Sequence, residues 1–361
     1  GDAAASLAAP PAEGEVMGTS RGETVGNVSG VVPTEATAKD YYFDSYAHFG
    51  IHEEMIKDSV RTNAYRDSIL KNKHLFENKV VLDVGCGTGI LSMFAAQAGA
   101  THVYGVDCSG IIHSAKQIVR DNKLDDRVTL IHGKVEDLEL PVDKVDIIIS
   151  EWMGYALFYE SMLDTVLVAR DRWLAPGGIV MPDKACLWMA GAADPSFKTD
   201  KIDFWGDVYG FDMSCVKKSA RVEPVVECVR PELVCTKPFV LKNVDIATCT
   251  KEDLSFEAPY RLQATRNDYL TSFVLYFDVG FTQCDPPIWM TTGPRAQYTH
   301  WRQTVFHMHD ELVVSAKEVV SGKVSCRPNQ RNHRDLDFTI SFSHKGRVNG
   351  QKQGTHDFKM R

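Results

Sequence analysis

The stretch that decides the fold runs from Val80 to Gly89 and reads Val-Val-Leu-Asp-Val-Gly-Cys-Gly-Thr-Gly. Its first five residues form a short β-branched run, which is typical of a buried strand. The glycines that follow allow a tight turn and a close approach of a ligand to the backbone. The spacing of apolar residues over 90–98 then predicts a helix. A strand, a glycine turn and a helix in this order indicate a ligand-binding unit of a parallel sheet.

The segments after this unit alternate between strands and helices. Helical spacing recurs over 111–120 and about 160–173, and helical spacing also precedes the unit, over about 45–76. Further strands are predicted at His102–Val106, Val128–Ile131 and Val145–Ile149. Strands that alternate with helices indicate a parallel sheet with right-handed crossovers, and near-continuous apolar strands indicate burial on both faces. The predicted fold class is therefore an α/β Rossmann-like domain.

The pattern changes after Met181-Pro182. From about residue 224 apolar and polar residues alternate at period two, most clearly over Phe338–Ser343, and Tyr269–Phe281 is a long aromatic strand. This pattern predicts an antiparallel β-barrel domain. Residues 195–223, between the two patterns, contain a cluster of aromatic side chains.

These patterns divide the chain into three parts. Residues 1–40 contain no aromatic residue, no Ile and a single Leu, so we expect a disordered N-terminal tail. Residues 41–182 are predicted to form N-terminal helices and the Rossmann-like domain, and residues 183–361 the β-barrel domain.

The charge and the cysteines exclude several classes of protein. Forty basic and 48 acidic residues leave a formal charge of −8, which disfavours a protein that holds nucleic acid through its phosphates and suits a basic partner. The nine cysteines include no C-x-x-C pair, so we expect no disulfide framework, no metal site and a reduced, intracellular compartment. We find neither a membrane span nor a secretory signal.

The glycine turn is compatible with two nucleotide cofactors. Asp107 lies at the end of the second strand, 22 residues after Gly85, where a carboxylate can accept hydrogen bonds from ribose hydroxyls. The dinucleotide fingerprint needs a third glycine where this chain has Ile90, which disfavours a nicotinamide-dependent oxidoreductase. The spacing D-x-G-x-G-x-G resembles motif I of the S-adenosylmethionine-dependent methyltransferases instead. Glu136, after the third strand, is placed to accept a hydrogen bond from an adenine amine.

The fourth strand ends in a loop with two glutamates, Glu151 and Glu160, among many apolar residues. Ligands bind at the carboxyl ends of the strands in an open α/β sheet. Two carboxylates in an apolar loop are costly to bury unless a positive group lies between them. A guanidinium is the planar cation that fits paired carboxylates.

With these motifs the sequence resembles the type I members of the protein arginine N-methyltransferase family over residues 40–361. The other motifs that carry the resemblance are Tyr42-Phe43-Asp44-Ser45-Tyr46, Val60-Arg61-Thr62 and Thr299-His300-Trp301. The resemblance implies methyl transfer from S-adenosylmethionine to arginine in proteins such as histones and Arg-Gly repeat proteins, giving monomethyl- and asymmetric dimethylarginine. It also implies a cis bond at Met181-Pro182.

The resemblance further implies roles for individual residues. Cofactor-binding residues would be His52, Arg61, Asp83, Gly85, Gly87, Asp107 and Glu136, with Tyr42 and Phe43 on a helix that closes over the cofactor. Catalytic residues would be Glu151, Glu160, His300 and Asp58. Substrate-binding residues would be Tyr46, Met55, Met153 and Met162, of which Met55 and Met162 border the reacting nitrogen. Familiar relatives carry Glu in place of Asp107, so the ribose contacts are expected to loosen or shift.

The resemblance also implies a homodimer through the arm over 195–223, with higher oligomers open, in the cytoplasm and nucleus, without nucleic acid, membrane or metal. Two other functions stay open. A methyltransferase for nucleic acids or small molecules would usually carry Asn/Asp-Pro-Pro-Tyr where this chain has Ser150-Glu151-Trp152-Met153. A catalytically silent scaffold would not need both Glu151 and Glu160. The final proton acceptor, Glu160 or the Asp58–His300 pair, also stays open.

Overall fold

The computed structural model describes residues 46–361. The predicted tail over 1–40 and the predicted cofactor contacts Tyr42 and Phe43 lie outside the described residues.

Three helices open the described chain where the sequence pattern suggested continuous helical spacing. They are α1 (Phe49–Lys57), α2 (Ser59–Leu70) and α3 (Lys73–Phe76). Asp58 separates the first two because its backbone is extended, and its carboxylate Oδ1 accepts the N–H of Arg61 at 3.0 Å. A side-chain acceptor at this position satisfies a backbone donor that the new helix leaves unpaired. The break therefore places Asp58 at the N-terminus of α2.

A five-stranded parallel sheet follows, in the order β3-β2-β1-β4-β5. Its strands are β1 (Val80–Val84), β2 (His102–Asp107), β3 (Val128–His132), β4 (Val145–Ser150) and β5 (Leu174–Met181). The connecting helices are α4 (Ile90–Gln97), α5 (Ile112–Asp121) and α6 (Met162–Trp173). The predicted Rossmann-like class is confirmed. Strand β5 escaped prediction because its Pro176-Gly177-Gly178 segment resembles a turn, yet Ile179 pairs with Ile147 of β4.

The remaining strands form two antiparallel sheets. The first has the order β7-β12-β10-β6-β8, with β11 added beside β10, and the second has the order β15-β14-β13-β9. The bounds are β6 (Lys184–Ala192), β7 (Val225–Glu227), β8 (Phe239–Asp245), β9 (Phe256–Gln263), β10 (Asp268–Phe281), β11 (Ile288–Thr291), β12 (Gln303–Val314), β13 (Val319–Pro328), β14 (Leu336–Gly346) and β15 (Gly350–Met360). Phe306 packs its ring edge-on against Phe338 and Phe358, so the inner faces share one core.

The antiparallel part begins earlier than the period-two pattern indicated. Strand β6 precedes the aromatic segment over 195–223, so this segment is an insertion between β6 and β7. It contains short helical turns and one α-helix, α7 (Lys217–Val222). Its side chains include several exposed apolar groups, with exposed fractions of 97% at Tyr209 and 69% at Phe211. Within the described residues, no helix is long and apolar enough to cross a membrane.

The two parts of the fold are tied together on both sides of the junction. The bond between Met181 and Pro182 is cis, as predicted, and a second cis bond joins Asp285 to Pro286. The buried carboxylate of Asp183 accepts the N–H of Thr282 at 2.6 Å. On the helical side, the Oδ1 of Asn72 accepts the N–H of Asp285 at 2.9 Å. These contacts attach α2 and α3 to the first antiparallel sheet.

Candidate active site

A cavity of about 330 Å³ opens at the carboxyl ends of β1, β2 and β4. Its wall combines the glycine turn, α1, the loop between β4 and α6, and the segment that carries His300. The open α/β architecture places ligand sites at this edge. Within residues 46–361, no group of three or more His, Cys, Asp or Glu side chains is arranged to hold a metal ion.

The glycine turn forms a floor that has no room for side chains. Gly85 and Gly87 have positive φ values of 73° and 53°. A Cβ added to Gly85 would lie 2.7 Å from the Cε of Met162, and one added to Gly87 would lie 3.1 Å from Nδ1 of His52. Only glycine adopts this backbone without strain and keeps the floor open to a ligand.

Asp107, at the end of β2, is anchored to the turn. Its Oδ2 accepts the N–H of Gly87 at 2.9 Å, and its Oδ1 accepts the N–H and the hydroxyl of Ser109 at 2.8 Å and 2.7 Å. The side chain still lines the cavity, and ionised carboxylate oxygens can accept further hydrogen bonds. The short side chain is therefore fixed in one place, with acceptor capacity left for a ligand.

Asp83 is fully buried in β1 and does not line the cavity. The hydroxyl of Ser92 in α4 donates to its Oδ2 at 2.7 Å, whereas its Oδ1 has no hydrogen-bond partner among residues 46–361. Burial raises the pKa of Asp83 to about 7, and the negative charge of Asp107 adds to the rise. Asp83 thus lies beneath the cavity, where it supports the turn through α4.

Glu151 forms a buried ion pair with Arg61. The Nε of Arg61 donates to the Oε2 of Glu151 at 2.9 Å, and each side chain is only 7% exposed. The N–H of Met153 lies 3.3 Å from the other carboxylate oxygen of Glu151, and Nη1 of Arg61 donates to the carbonyl of Met55 at 3.3 Å. The sequence motifs assigned Arg61 to the cofactor and Glu151 to the substrate, so their direct pairing is a new feature.

The loop that carries Glu160 has an unusual backbone. Ala156, Leu157, Glu160 and Ser161 all have positive φ, with 75° at Glu160. Non-glycine residues in this region are strained, and such strain persists only where the surroundings hold it. A Cβ at Gly154 would lie 1.9 Å from the carbonyl oxygen of Tyr159, so the loop can close on itself only with glycine there.

The carboxylate of Glu160 is held from α1's side of the cavity. The hydroxyl of Tyr46 donates to the Oε2 of Glu160 at 2.8 Å. The carbonyl of Tyr46 in turn lies 2.8 Å from Nε2 of the buried His52. Tyr46, His52 and Glu160 all line the cavity, so the segment before α1 links the predicted cofactor and substrate regions.

Asp58 and His300 form the predicted pair. Nδ1 of His300 lies 2.7 Å from Oδ2 of Asp58, which also accepts the backbone N–H of His300 at 2.9 Å. Burial alone would raise the pKa of Asp58, but the hydrogen bonds from His300 and from the N–H of Arg61 outweigh it and lower that pKa. Only His300 lines the cavity, because the Asp58 side chain is 1% exposed and lies behind it.

The remaining predicted residues also reach the cavity. Met55, Met153 and Met162 line it, and Glu136 lines it while its Oε1 accepts the hydroxyl of Thr165 at 2.8 Å. Trp301 donates its indole N–H to the carbonyl of Met153 at 2.8 Å. This hydrogen bond also fixes the preceding residue, His300, against the loop after β4.

Sequence reasoning missed one residue that lines the cavity and one that supports its wall. Tyr65 of α2 is fully buried and donates its hydroxyl to the carbonyl of Ser150 at the end of β4, at 2.8 Å. Arg334, from the loop between β13 and β14, lines the cavity although it lies far from every motif in the sequence. The helical spacing of α2 could have marked Tyr65 as buried, but no local pattern points to Arg334.

Comparisons with known proteins agree with this geometry. Two family models match the chain: "Methyltransferase domain" over residues 81–178 and "Arginine methyltransferase oligomerization subdomain" over residues 183–347. Protein arginine N-methyltransferase 1 of Chlamydomonas reinhardtii is 56% identical over 346 residues, covering 96% of this chain and 100% of that protein. Its counterpart in Schizosaccharomyces pombe is 55% identical, covering 93% of this chain and 99% of that protein.

The chain belongs to the protein arginine N-methyltransferase family.

Solved structures of this family share the fold. The Trypanosoma brucei PRMT1 enzyme–prozyme heterotetrameric complex with AdoHcy superposes with a TM-score of 0.85 at 44% identity, covering 88% of this chain and 100% of that chain. Arabidopsis thaliana protein arginine methyltransferase 10, in an open conformation, gives a TM-score of 0.79 at 31% identity, with 89% and 100% coverage. The arginine methyltransferase fold thus spans the Rossmann-like domain and both antiparallel sheets.

Proposed function

We propose that this chain is a type I protein arginine N-methyltransferase that acts on arginine in basic, Arg-Gly-rich protein segments such as histone tails. The observation that carries the substrate class is the placement of two glutamates, Glu151 and Glu160, on one cavity that also borders the glycine turn. The products are monomethylarginine and asymmetric dimethylarginine.

The cofactor is S-adenosylmethionine, and the turn fits it. Gly85 and Gly87 leave a cradle that a Cβ would fill, and Asp107 and Glu136 offer carboxylates on its wall. Asp107 would hold the ribose and Glu136 the adenine, while Arg61 and His52 would face the carboxylate end. When bound, the cofactor supplies a methyl group on a positively charged sulfur.

The charges of the site suit a guanidinium. Glu151 and Glu160 both line the cavity, where Glu151 pairs with Arg61 and Glu160 accepts the hydroxyl of Tyr46. A guanidinium stays protonated at neutral pH and can donate in parallel to carboxylates. Glu151 and Glu160 would draw its charge towards the nitrogens that they bind. The remaining terminal nitrogen then keeps the lone pair that forms the bond to the methyl group. The gain in rate comes from the position of the reacting groups and from the fixed charges of the site.

A proton must leave the guanidinium during or after the transfer. Glu160 reaches the cavity directly, whereas Asp58 is reached only through His300. Hydrogen bonds lower the pKa of Asp58, so its negative charge lies beside the ring of His300. Glu160 is therefore the acceptor that we favour, and the Asp58–His300 pair is the second candidate, which the proton would reach at His300.

Two methionine side chains on the cavity wall agree with the type I product. Met55 and Met162 line the cavity from α1 and α6. Thioether side chains are unbranched and adaptable, which leaves room for a second methyl on the same nitrogen.

The family has an oligomerisation subdomain, and we assign the contact to the arm over 195–223. Its exposed side chains Phe204, Tyr209, Phe211 and Met213 would be covered by a second copy of the chain. A homodimer is the simplest closed assembly, and higher oligomers can build on it. Cytoplasmic and nuclear location stays a prediction.

The test is transfer of labelled methyl from S-adenosylmethionine to an Arg-Gly repeat peptide, with the matched Lys-Gly peptide as the control. We expect label on the arginine peptide alone. Equal labelling of both peptides, or of neither, would contradict the proposal.

A further inference from the structure

The backbone at Glu160 needs an outside support. Glu160 and Ser161 are consecutive non-glycine residues in the left-handed region, with φ of 75° and 56°. Such a pair costs free energy and persists only where neighbouring groups hold it in place. The direction in which the Glu160 side chain leaves the loop depends on this backbone.

The support comes from the antiparallel part of the fold. The N–H of Glu160 donates to the carbonyl of Arg334 at 2.9 Å, and Nη1 of Arg334 donates back to the carbonyl of Glu160 at 2.6 Å. The hydroxyl of Ser161 donates to the carbonyl of His333 at 2.6 Å. Three hydrogen bonds therefore join residues 160–161 to the segment between β13 and β14.

The supporting segment is held by hydrogen bonds of its own side chains. The side-chain oxygen of Asn329 accepts the N–H groups of Arg331 and Asn332 at 2.9 Å and 3.1 Å. The side-chain amide of Asn332 donates to Asp335 at 2.9 Å, and that of Asn329 donates to Asp337 at 2.8 Å. Because its turns are closed by its own side chains, the segment can impose a conformation on the loop that it contacts.

We propose that Arg334 is a positioning residue for Glu160, through which the antiparallel domain fixes the second carboxylate of the active site. This inference rests on the proposed function, because it assigns Glu160 to the substrate. The guanidinium of Arg334 binds the main chain of Glu160, and Tyr46 binds the carboxylate, so the two contacts fix opposite ends of one residue. A catalytic group displaced by about 1 Å can lose on the order of a hundredfold in rate.

The kinetic test compares Arg334→Ala with Arg331→Ala. Arg331 lies on the same segment, is exposed, and uses only its backbone in the contacts above, so its variant is the matched control. We expect Arg334→Ala to lower kcat roughly 10- to 100-fold while KM for the peptide and Kd for S-adenosylhomocysteine change less than about threefold. Arg334→Lys, which keeps a charged donor, should recover part of kcat. A loss confined to KM or Kd would overturn the inference, as would a kcat equal to that of Arg331→Ala.

A second measurement does not depend on activity. Amide hydrogen exchange over residues 156–162 should be at least about tenfold faster in Arg334→Ala than in the unaltered protein or in Arg331→Ala, while exchange in β1 and β4 stays unchanged. Unchanged exchange over 156–162 would overturn the positioning role. If the unaltered enzyme does not methylate arginine but exchange responds as expected, the proposed function fails and the structural link stands. Faster exchange throughout the sheet would show that Arg334→Ala is misfolded. The positioning role would then be tested by the same exchange measurement on Arg334→Lys, as the folded variant.

Discussion

The guanidinium of Arg61 and the carboxylate of Glu151 meet at 2.9 Å, with each side chain only 7% exposed. Removing one partner of such a pair leaves the other charge buried and unpaired, which is strongly unfavourable. The pair therefore ties the proposed cofactor side of the cavity to its proposed substrate side. A ligand whose charged group binds Arg61 or Glu151 therefore changes the electrostatic environment of the other residue.

Replacing Glu151 with Gln should nearly abolish turnover. Gln keeps the shape but cannot draw the charge of a guanidinium, so we predict a loss of kcat of roughly a thousandfold. Binding of S-adenosylhomocysteine should change little, because its carboxylate can pair with Arg61 in place of Glu151. Steady-state kinetics and titration calorimetry measure the two effects separately.

Glu257→Gln is the matched control for this change. Glu257 forms an ion pair with Lys323 on the exposed side of the second antiparallel sheet, so its neutralisation should leave kcat unaltered. Turnover of Glu151→Gln close to that of Glu257→Gln would refute the role of the two glutamates.

The glycine turn gives a prediction on cofactor binding. Gly87→Ala places a Cβ about 3.1 Å from His52 in a backbone with φ of 53°. We expect Kd for S-adenosylhomocysteine to rise at least about tenfold, together with a destabilisation of about 1–2 kcal/mol. Gly350→Ala is the control, because Gly350 has a similar φ of 63° and nothing within 4 Å of an added Cβ. This variant has the same backbone strain but no steric contact with a neighbouring side chain. Equal Kd values for the two variants would show that the floor does not contact the cofactor.

Local patterns in the sequence predicted the parts of the site that are built locally. The turn over 85–89 follows from its glycines, and the loop with Glu151 follows a strand whose position is evident from its apolar run. The contacts of Arg334 with Glu160 could not be predicted, because they join residues 174 positions apart whose approach depends on how two domains pack. The Arg61–Glu151 pair was missed because it joins residues 90 positions apart, one on α2 and one after β4, whose approach depends on how the helix packs beside the sheet.

Asp83 predicts how stability depends on pH. Burial raises its pKa to about 7 in the folded protein, against about 3.9 in an unfolded chain. Between these values the folded state holds a proton that the unfolded state has lost, so this residue makes stability fall as the pH rises from about 4 to 7, by up to about 1.4 kcal/mol per pH unit. Asp83→Asn removes this dependence while keeping the shape.

The expected result is that Asp83→Asn gains stability relative to the unaltered protein as the pH rises from about 4 to 7, and that the difference then levels off. Denaturant unfolding at several pH values measures it. A difference that stays constant across this range would mean that Asp83 does not change its protonation there.

The exposed aromatic groups of the arm give a prediction on assembly. Phe211→Asp places a charge where we expect an apolar contact between two copies, so the dissociation constant of the dimer should rise at least about a hundredfold. Trp289→Asp is the control, because Trp289 is 53% exposed but lies on β11, beside the end of β10 that is opposite to the start of the arm. Sedimentation equilibrium distinguishes the two variants. Equal dissociation constants for the two variants would show that the dimer contact lies outside the arm.

The most direct test of the central claim is the identity of the methylated product. The protein is incubated with S-adenosylmethionine and an Arg-Gly repeat peptide, and the hydrolysed peptide is separated into its methylarginines. If Met55 and Met162 border the reacting nitrogen as proposed, the enzyme should yield monomethylarginine first and asymmetric dimethylarginine as the main final product. Symmetric dimethylarginine as the main product would contradict the account.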